Sequence, residues 1–513
     1  MTIIPWFLRK SFWNLLGWVK VQGNKPVDIP RPPKTCSAIK PIPLKQVVPV
    51  IPVSRVLVCP PDKIPADEQS LKQNLVYKLQ VWLYGVFSPM QAGLPSIDAD
   101  PDRALKEAFT WLHRTNFNPP ELPAEYLGSP DLGSLAVRGP YACYTEKRGD
   151  GVYQWDLMRL AQYEHHEGLR TLGATVLFKV DATRRALEAF QIDTTLGTAY
   201  PGDGNWELAK KIALASATND LSLVRHFNGV HLVAGAYLAI ATRNRLPSTH
   251  PLCRLLWPYM FGTLHSNDIV TRGQMVPGGE FETIFSFTMK GMCQLFDDSF
   301  GDYRFVVNDP AEDAKARQVR EAGFDTPTLD NLEALFAVMH EHARHYLQLY
   351  YPDVPPGAST DAIRADAAIG DWLDELNSLI PNGVAVSRAD VTFDGLARLI
   401  ARFMYMATVQ HELLGSFVWN YQLWTQRQPV RVYKTGQREP LDVYQRLVNA
   451  NYNLNVTRRA LLYDFSYMVD DVPAKAALRK FNRELESLQA SMEQQPWAVW
   501  KLYPQALKAN INA

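Results

Sequence analysis

Two histidines five residues apart inside one long apolar run constrain this chain more than any other feature. They sit in Arg225-His226-Phe227-Asn228-Gly229-Val230-His231, at the centre of a stretch that opens at Trp206-Glu207-Leu208-Ala209-Lys210 and runs on to Arg272. On an ideal α-helix a five-residue step turns about 140°, so the two rings would face different sides. A π-type bulge absorbs the extra residue and turns both rings the same way, and such bulges tend to mark functional sites. Paired buried imidazoles suit a transition metal. The same spacing also fits two core histidines with hydrogen-bonded rings, so any remaining ligands have to come from elsewhere in the chain.

The chain's 513 residues allow one large domain or a few small ones. Lys plus Arg equals Asp plus Glu at 53 each, so no basic excess points to nucleic acid, and no nucleic-acid partner is expected. Cys36, Cys59, Cys143, Cys253 and Cys293 form no C-x-x-C pair and are odd in number. Neither a disulfide framework nor a cysteine zinc site is indicated, and a cytoplasmic, reducing setting fits. No apolar run reaches the roughly 20 residues of a membrane span. In residues 1–20, Trp6, Phe7, Leu8, Phe12, Trp13, Leu16 and Trp18 alternate with Arg9, Lys10 and Lys20. This reads as an interfacial amphipathic helix making peripheral membrane contact, or as a segment packed on its own protein. Residues 21–65 are dense in proline and read as a strap along the body. The expected organisation is therefore an N-terminal segment and strap over 1–65 and one large domain over 66–513.

From Ala66 the pattern turns helical, with Leu71, Leu75, Leu79, Val81, Trp82 and Tyr84. The one convincing β signal is a hairpin at 172–192, where Ala174–Asp181 and Leu187–Ile192 flank a polar turn. From Trp206 onward helical spacing dominates, as in Leu396, Leu399, Ile400, Phe403 and Met404. The fold class is mainly α, with a small β-hairpin or sheet element. Among the other histidines, His165 and His166 lie in a polar segment and read as surface. His340-Glu341-His342-Ala343-Arg344-His345 resembles the zincin motif but has Arg344 where the second histidine belongs, and reads as a solvated helix face. His411 stands alone in the apolar run Met404–Leu414 and fits either a satisfied core histidine or a ligand.

Together these residues carry a resemblance. Trp206-x-Leu208-Ala209-Lys210, His226-x4-His231, Ile240-Ala241-Thr242-Arg243-Asn244-Arg245-Leu246, His250-Pro251-Leu252 and Asn267 follow one another in the order and spacing of the lipoxygenase catalytic core. One residue is inserted between His231 and Thr242. Tyr350-Tyr351, Trp372-Leu373-x-Glu375 and Val409-Gln410-His411 resemble that family's later helices. The resemblance covers roughly residues 66–513, and the N-terminal β-sandwich of plant and animal members has no counterpart in it. It implies a large helical catalytic domain holding one non-haem iron, occasionally manganese. The implied ligands are His226, His231, His411 and the C-terminal main-chain carboxylate, here that of Ala513.

The chain also departs from the family pattern. The residue four after the third histidine, often an Asn, His or Ser ligand, is Gly415. Glu412 follows His411 but would point about 100° away on a regular helix. The family's Gly-Gln-Tyr segment is replaced by Phe417-Val418-Trp419-Asn420-Tyr421, and the final residue is Ala in place of Ile. The family's position steering oxygen falls near Val270 or Thr271, next to Arg272. Neither is Gly, which the resemblance links to S-type oxygenation. Arg243, Arg245 and Arg272 are candidates to meet a fatty-acid carboxylate, or are surface residues. The implied activity is insertion of O2 into a polyunsaturated fatty acid, after hydrogen abstraction from a bis-allylic methylene, to give a hydroperoxide. Two alternatives stay open. One is an iron-dependent hydroperoxide isomerase or an oxidase of another apolar substrate. The other is a non-catalytic lipid-binding protein.

Overall fold

Alternation of large apolar and polar residues builds the sheet. The computed structural model describes residues 29–68, 128–320, 323–440 and 460–511, with isolated positions within 4–15 and 443–450. Strands β1 (Ile42–Pro43) and β2 (Leu57–Val58) form a short antiparallel pair. A second antiparallel sheet runs in the order β3 (Glu146–Gly149), β4 (Val152–Asp156), β5 (Ala174–Asp181), β6 (Ala186–Thr194) and β7 (Gly197–Ala199). Ala174, Val176 and Phe178 of β5 turn inward and are buried. Val176 faces Ile192 across the β5–β6 ladder, which carries a bulge between Leu177 and Phe178. The hairpin expected at 172–192 is thus the middle of a wider sheet. Strands β3 and β7 carry the segments Glu-Lys-Arg-Gly and Gly-Thr-Ala, which have little β preference of their own; pairing with neighbours makes them strands.

The sheet packs against the start of the long central helix. That helix is continuous through α1 (Trp206–Asn219), a π-helical segment Asp220–Gly235, and α2 (Ala236–Arg245). From Ile212 to Arg243 almost every residue is buried, which is why its sequence is apolar all round and shows no polar face. Helices α3 (Pro251–Met260), α4 (Thr263–Gly273) and α5 (Met289–Asp302) follow, the last two packing against the π-helical segment. The long α6 (Pro327–Tyr350) packs on α7 (Phe393–Tyr405) and on α8 (Val472–Glu493). After Tyr405, α7 runs into two further π segments, Met406–Gln410 and Leu413–Phe417, which lie against the central one.

The proline-rich strap lies along this body. Leu44, Ile51, Val53 and Val56 are buried in the common core. Pro30 accepts a 2.7 Å hydrogen bond from the Trp257 indole, and the Ile39 amide donates to Asn244 Oδ1 at 2.8 Å. The helical pattern from Leu71 to Tyr84, and Trp6, Trp13 and Trp18, lie outside the described residues. Phe7, Leu8 and Leu15 are exposed. No helix among the described residues is long and apolar enough to cross a membrane.

Several histidines sit differently from the sequence expectation. His165 and His166 are half-buried, not surface: His165 Nε2 accepts from the Leu172 amide at 2.8 Å, and His166 Nε2 lies 2.8 Å from the Glu282 carbonyl. Burial pushes the His165 imidazole down to about 4. His342 does not face solvent either; it is buried and stacks on Phe481 with ring centroids 4.3 Å apart. The polar motif around it hid the fact that α8 covers that side of α6.

Candidate metal centre

One turn of a π-helix spans the step between His226 and His231. Because both lie in the Asp220–Gly235 segment, their rings point the same way, with Nε2 atoms 3.3 Å apart and centroids 4.8 Å apart. His411 comes from the other side, between the two π segments that extend α7. Its ring centroid is 4.9 Å from that of His226 and 5.1 Å from that of His231. Among the described residues this trio is the one group of His, Cys, Asp or Glu side chains able to hold a metal ion, its ligand atoms all within 4.8 Å of one another.

Electrostatics suits the trio to that role. Burial first, then the neighbouring imidazoles and Lys508, holds His226 well below the ordinary histidine range. Burial takes His231 down to about 3 and also lowers His411. Three neutral imidazoles with converging nitrogens are the donor set a divalent first-row metal prefers, and a cation between them would offset the crowding of their lone pairs. The residues present therefore fit iron or manganese.

A further layer holds the ligands. The Asn267 amide on α4 donates to the His231 main-chain carbonyl at 2.7 Å, across the face of the π segment. Glu412, expected to point away, instead reaches back: His411 Nδ1 lies 3.2 Å from its Oε1. The same oxygen lies 3.2 Å from the ammonium of Lys508, which also donates to Ser416 Oγ at 3.3 Å. Burial alone would raise the Glu412 carboxyl, but Lys508, and then His411, hold it at about 2. Sequence reasoning missed Lys508 and Ser416. One signal was present: Lys508 is the sole charged side chain in Tyr503–Ala513.

Gly415 packs directly on the site. A Cβ there would stand 2.8 Å from His226 Nε2 and 3.0 Å from its Cε1, so the first imidazole occupies the space that a side chain at 415 would need. The C-terminal segment also packs here, with Lys508 bonded to Ser416 next to Gly415. Leu507, Ala509, Asn510 and Ile511 are buried; Leu507 O accepts from the Leu461 amide at 2.9 Å, and Asn510 Nδ2 donates to the Pro258 carbonyl at 2.9 Å. Ile511 nests against Gly235, where a Cβ would come within 2.5 Å of its Cδ1. Ala513, the fourth expected ligand, lies outside the described residues.

The candidate substrate residues are placed as follows. Thr271 is buried on α4 and donates to the Asn267 carbonyl at 2.8 Å; Val270 is half-buried. Arg272 pairs with Asp268 one turn back. Arg243 is buried, paired with Asp67 and Glu68 at 2.8 and 2.6 Å, and stacked over Trp257. Arg245 pairs with Glu375. None of these lines the cavity that adjoins the two π segments extending α7. That cavity, about 640 Å³ of empty space including its open mouth, has Gln410, Leu413 and Leu414 in its wall next to His411. Phe324 and Leu329 line it as well, together with the charged Arg225, Asp313 and Arg317. Arg225 lies 4.5 Å over the Tyr144 ring and makes no hydrogen bond to the described residues. Its nearest carboxylate, Asp220 at 3.9 Å, is already held by Arg159 at 2.5 Å and by the Tyr144 hydroxyl at 2.6 Å.

Residues 191–379 match the family model of the lipoxygenase domain. The three-histidine geometry just described sits on that match and on the third histidine beyond it. Over that stretch the chain is similar to the lipoxygenase family. Over 209 residues it is 25% identical to the linoleate 9/13-lipoxygenase of Pseudomonas aeruginosa, covering 40% of this chain and 29% of that protein. Over 310 residues it is 25% identical to the polyunsaturated fatty acid lipoxygenase ALOX15 of Mus musculus, covering 56% of this chain and 45% of the relative. The matches thus span less than half the length of these relatives. The fold is that of solved lipoxygenases. The manganese lipoxygenase of Gaeumannomyces graminis superposes with a TM-score of 0.74 at 13% identity, over 93% of this chain and 96% of that one. A lipoxygenase solved in complex with arachidonate gives 0.74 at 15% identity, over 97% of this chain and 81% of that one.

Proposed function

We propose that this lipoxygenase-like chain is a metal-dependent dioxygenase that inserts O2 into polyunsaturated fatty acids to give hydroperoxides. The observation that carries the reading is the convergence of His226, His231 and His411, neutral and buried. His226, His231, His411 and the main-chain carboxylate of Ala513 would hold iron, or manganese. Such a metal supplies a one-electron couple able to take a hydrogen atom from a methylene between two double bonds.

The chain's own residues do the rest. Leu413 and Leu414, in the cavity wall two and three residues after His411, would hold an acyl chain near the histidines, and their apolar side chains would keep water away from a reactive radical. Arg225, which makes no hydrogen bond to the described residues, would meet the substrate carboxylate through a charge-assisted pair. It replaces Arg243 and Arg245 in that role, since their guanidinium groups are committed to Asp67, Glu68 and Glu375. Val270 and Thr271, beside Arg272 on α4, remain the proposed positions that steer oxygen. Phe7, Leu8 and Leu15 support peripheral contact of residues 1–20 with a lipid surface.

Oxygen uptake and conjugated-diene absorbance, measured with linoleate and arachidonate on the iron- or manganese-loaded protein, test the reading. Absence of both in a loaded protein would overturn it. Gly415 favours a second reading, in which the same centre isomerises a preformed hydroperoxide. Decay of added hydroperoxide without oxygen uptake would select that reading.

A further inference from the structure

A carboxylate and an ammonium outside the expected ligand set meet behind the third histidine. Glu412 Oε1 lies 3.2 Å from His411 Nδ1 and 3.2 Å from Lys508 Nζ, and the three side chains are 5%, 2% and 2% exposed. Lys508 also holds Ser416, one helical turn beyond Glu412. The two charges come from distant parts of the chain: Glu412 from the helix that carries the ligand, Lys508 from the segment that runs past Gly235 towards the chain's last residues.

We propose that Glu412 is a positioning residue for the His411 ligand, and that Lys508 makes this positioning conditional on the seating of the C-terminal segment. The inference rests on His411 binding a metal. An imidazole that ligates through Nε2 carries its proton on Nδ1, and an acceptor there fixes both tautomer and ring orientation. Glu412 is that acceptor. A carboxylate this deeply buried needs a countercharge, and Lys508 supplies it. The Lys508 main chain is fixed in turn, between buried Leu507 and Ala509, with Leu507 O bonded to the Leu461 amide. If the segment leaves, Glu412 loses its cation, and His411 loses the charge-balanced acceptor that aims it. Ligand orientation and segment seating are then one coupled state.

The test uses full-length protein in four variants: Lys508→Met, Glu412→Leu/Lys508→Met, Glu412→Gln/Lys508→Met and Lys508→Arg. The double variants bury no unpaired charge, so they fold even where Lys508→Met alone does not. Affinity for Fe(II) or Mn(II) is read by chelator competition, and seating by hydrogen exchange over 505–511 in the metal-free protein. The Leu/Met double variant should bind metal about 10- to 100-fold more weakly, the usual size of an outer-shell effect. The Gln/Met variant keeps a neutral acceptor at Nδ1 and should recover most of that loss, as should Lys508→Arg. A purely structural role predicts equal behaviour of the two doubles, and that result, or native affinity in both, would overturn the proposal. Faster exchange over 505–511 in Lys508→Met with unchanged metal affinity would overturn the coupling. Metal uptake without oxygenation by the native chain would sink the activity reading and leave this inference standing. No metal uptake by the native chain overturns both.

Discussion

At the scale of single residues, position 415 sets the geometry of the site by having no side chain. His226 stands where a Cβ would be, 2.8 Å away, and backbone on both sides is held in a buried π segment that has little room to shift. Gly415→Ala should therefore displace the His226 ring, destabilise the fold by about 1–3 kcal/mol through overpacking, and lower bound metal. Metal analysis after gel filtration, with thermal melting alongside, checks this; full metal content at native stability would show that the ring yields freely. Arg225 makes a different prediction. Loss of a charge-assisted hydrogen bond costs about 1.5–3 kcal/mol, so Arg225→Gln should raise KM for a free fatty acid at least about tenfold. The methyl ester of the same acid should be unaffected. Equal effects on acid and ester would remove Arg225 from carboxylate recognition.

At the scale of elements, the π-helical segment is what turns an awkward spacing into a site. The five-residue step and the apolar run were legible because helical geometry alone forbids both rings from sharing a face without an extra residue per turn. The second layer was not legible in the same way. Glu412 and Lys508 are far apart in sequence, and only the packing of the C-terminal segment against the α7 extension brings them together. The sheet was half legible for a similar reason: β5 and β6 have β-branched residues and alternation, whereas β3 and β7 depend on their partners. Gly235 joins the two elements that matter most. Gly235→Val would press on Ile511 and on the Val230 carbonyl, 2.5 and 2.7 Å from the new Cβ. It should unseat the C-terminal segment and cost about 1–3 kcal/mol. Faster hydrogen exchange over 507–511, with the central helix still protected, is the expected signature. Unchanged exchange there would show that Ile511 is not held by that contact.

At the scale of the whole molecule, buried neutral histidines give the fold an acid limit. His342 is held down to about 3 by burial, with neighbouring His345 and Lys480 adding to it. A histidine whose folded pKa lies below its unfolded value takes up its proton only on unfolding. Stability from this group is complete above about pH 6.5 and falls as pH drops towards about 3, by about 1.4 kcal/mol per pH unit. His342→Phe, which keeps the stacking on Phe481, should reduce the fall in the urea midpoint between pH 7 and pH 5. An unchanged pH slope would mean that His342 is protonated in the native state.

The strap has a bearing on how the chain reaches this fold during synthesis. The Ile29 main chain exchanges two hydrogen bonds with the Tyr467 hydroxyl, a partner 438 positions later, and Arg31 shares Asp470 with Arg254. Ile39, Leu44, Ile51, Val53 and Val56 thus emerge from the ribosome long before the surface that buries them is complete. Contacts of such separation form slowly, and an apolar segment waiting for them is open to wrong partners. The yield of this protein in a foreign host should therefore depend more on that interval than on the stability of the finished molecule, and co-expressed chaperones should raise it.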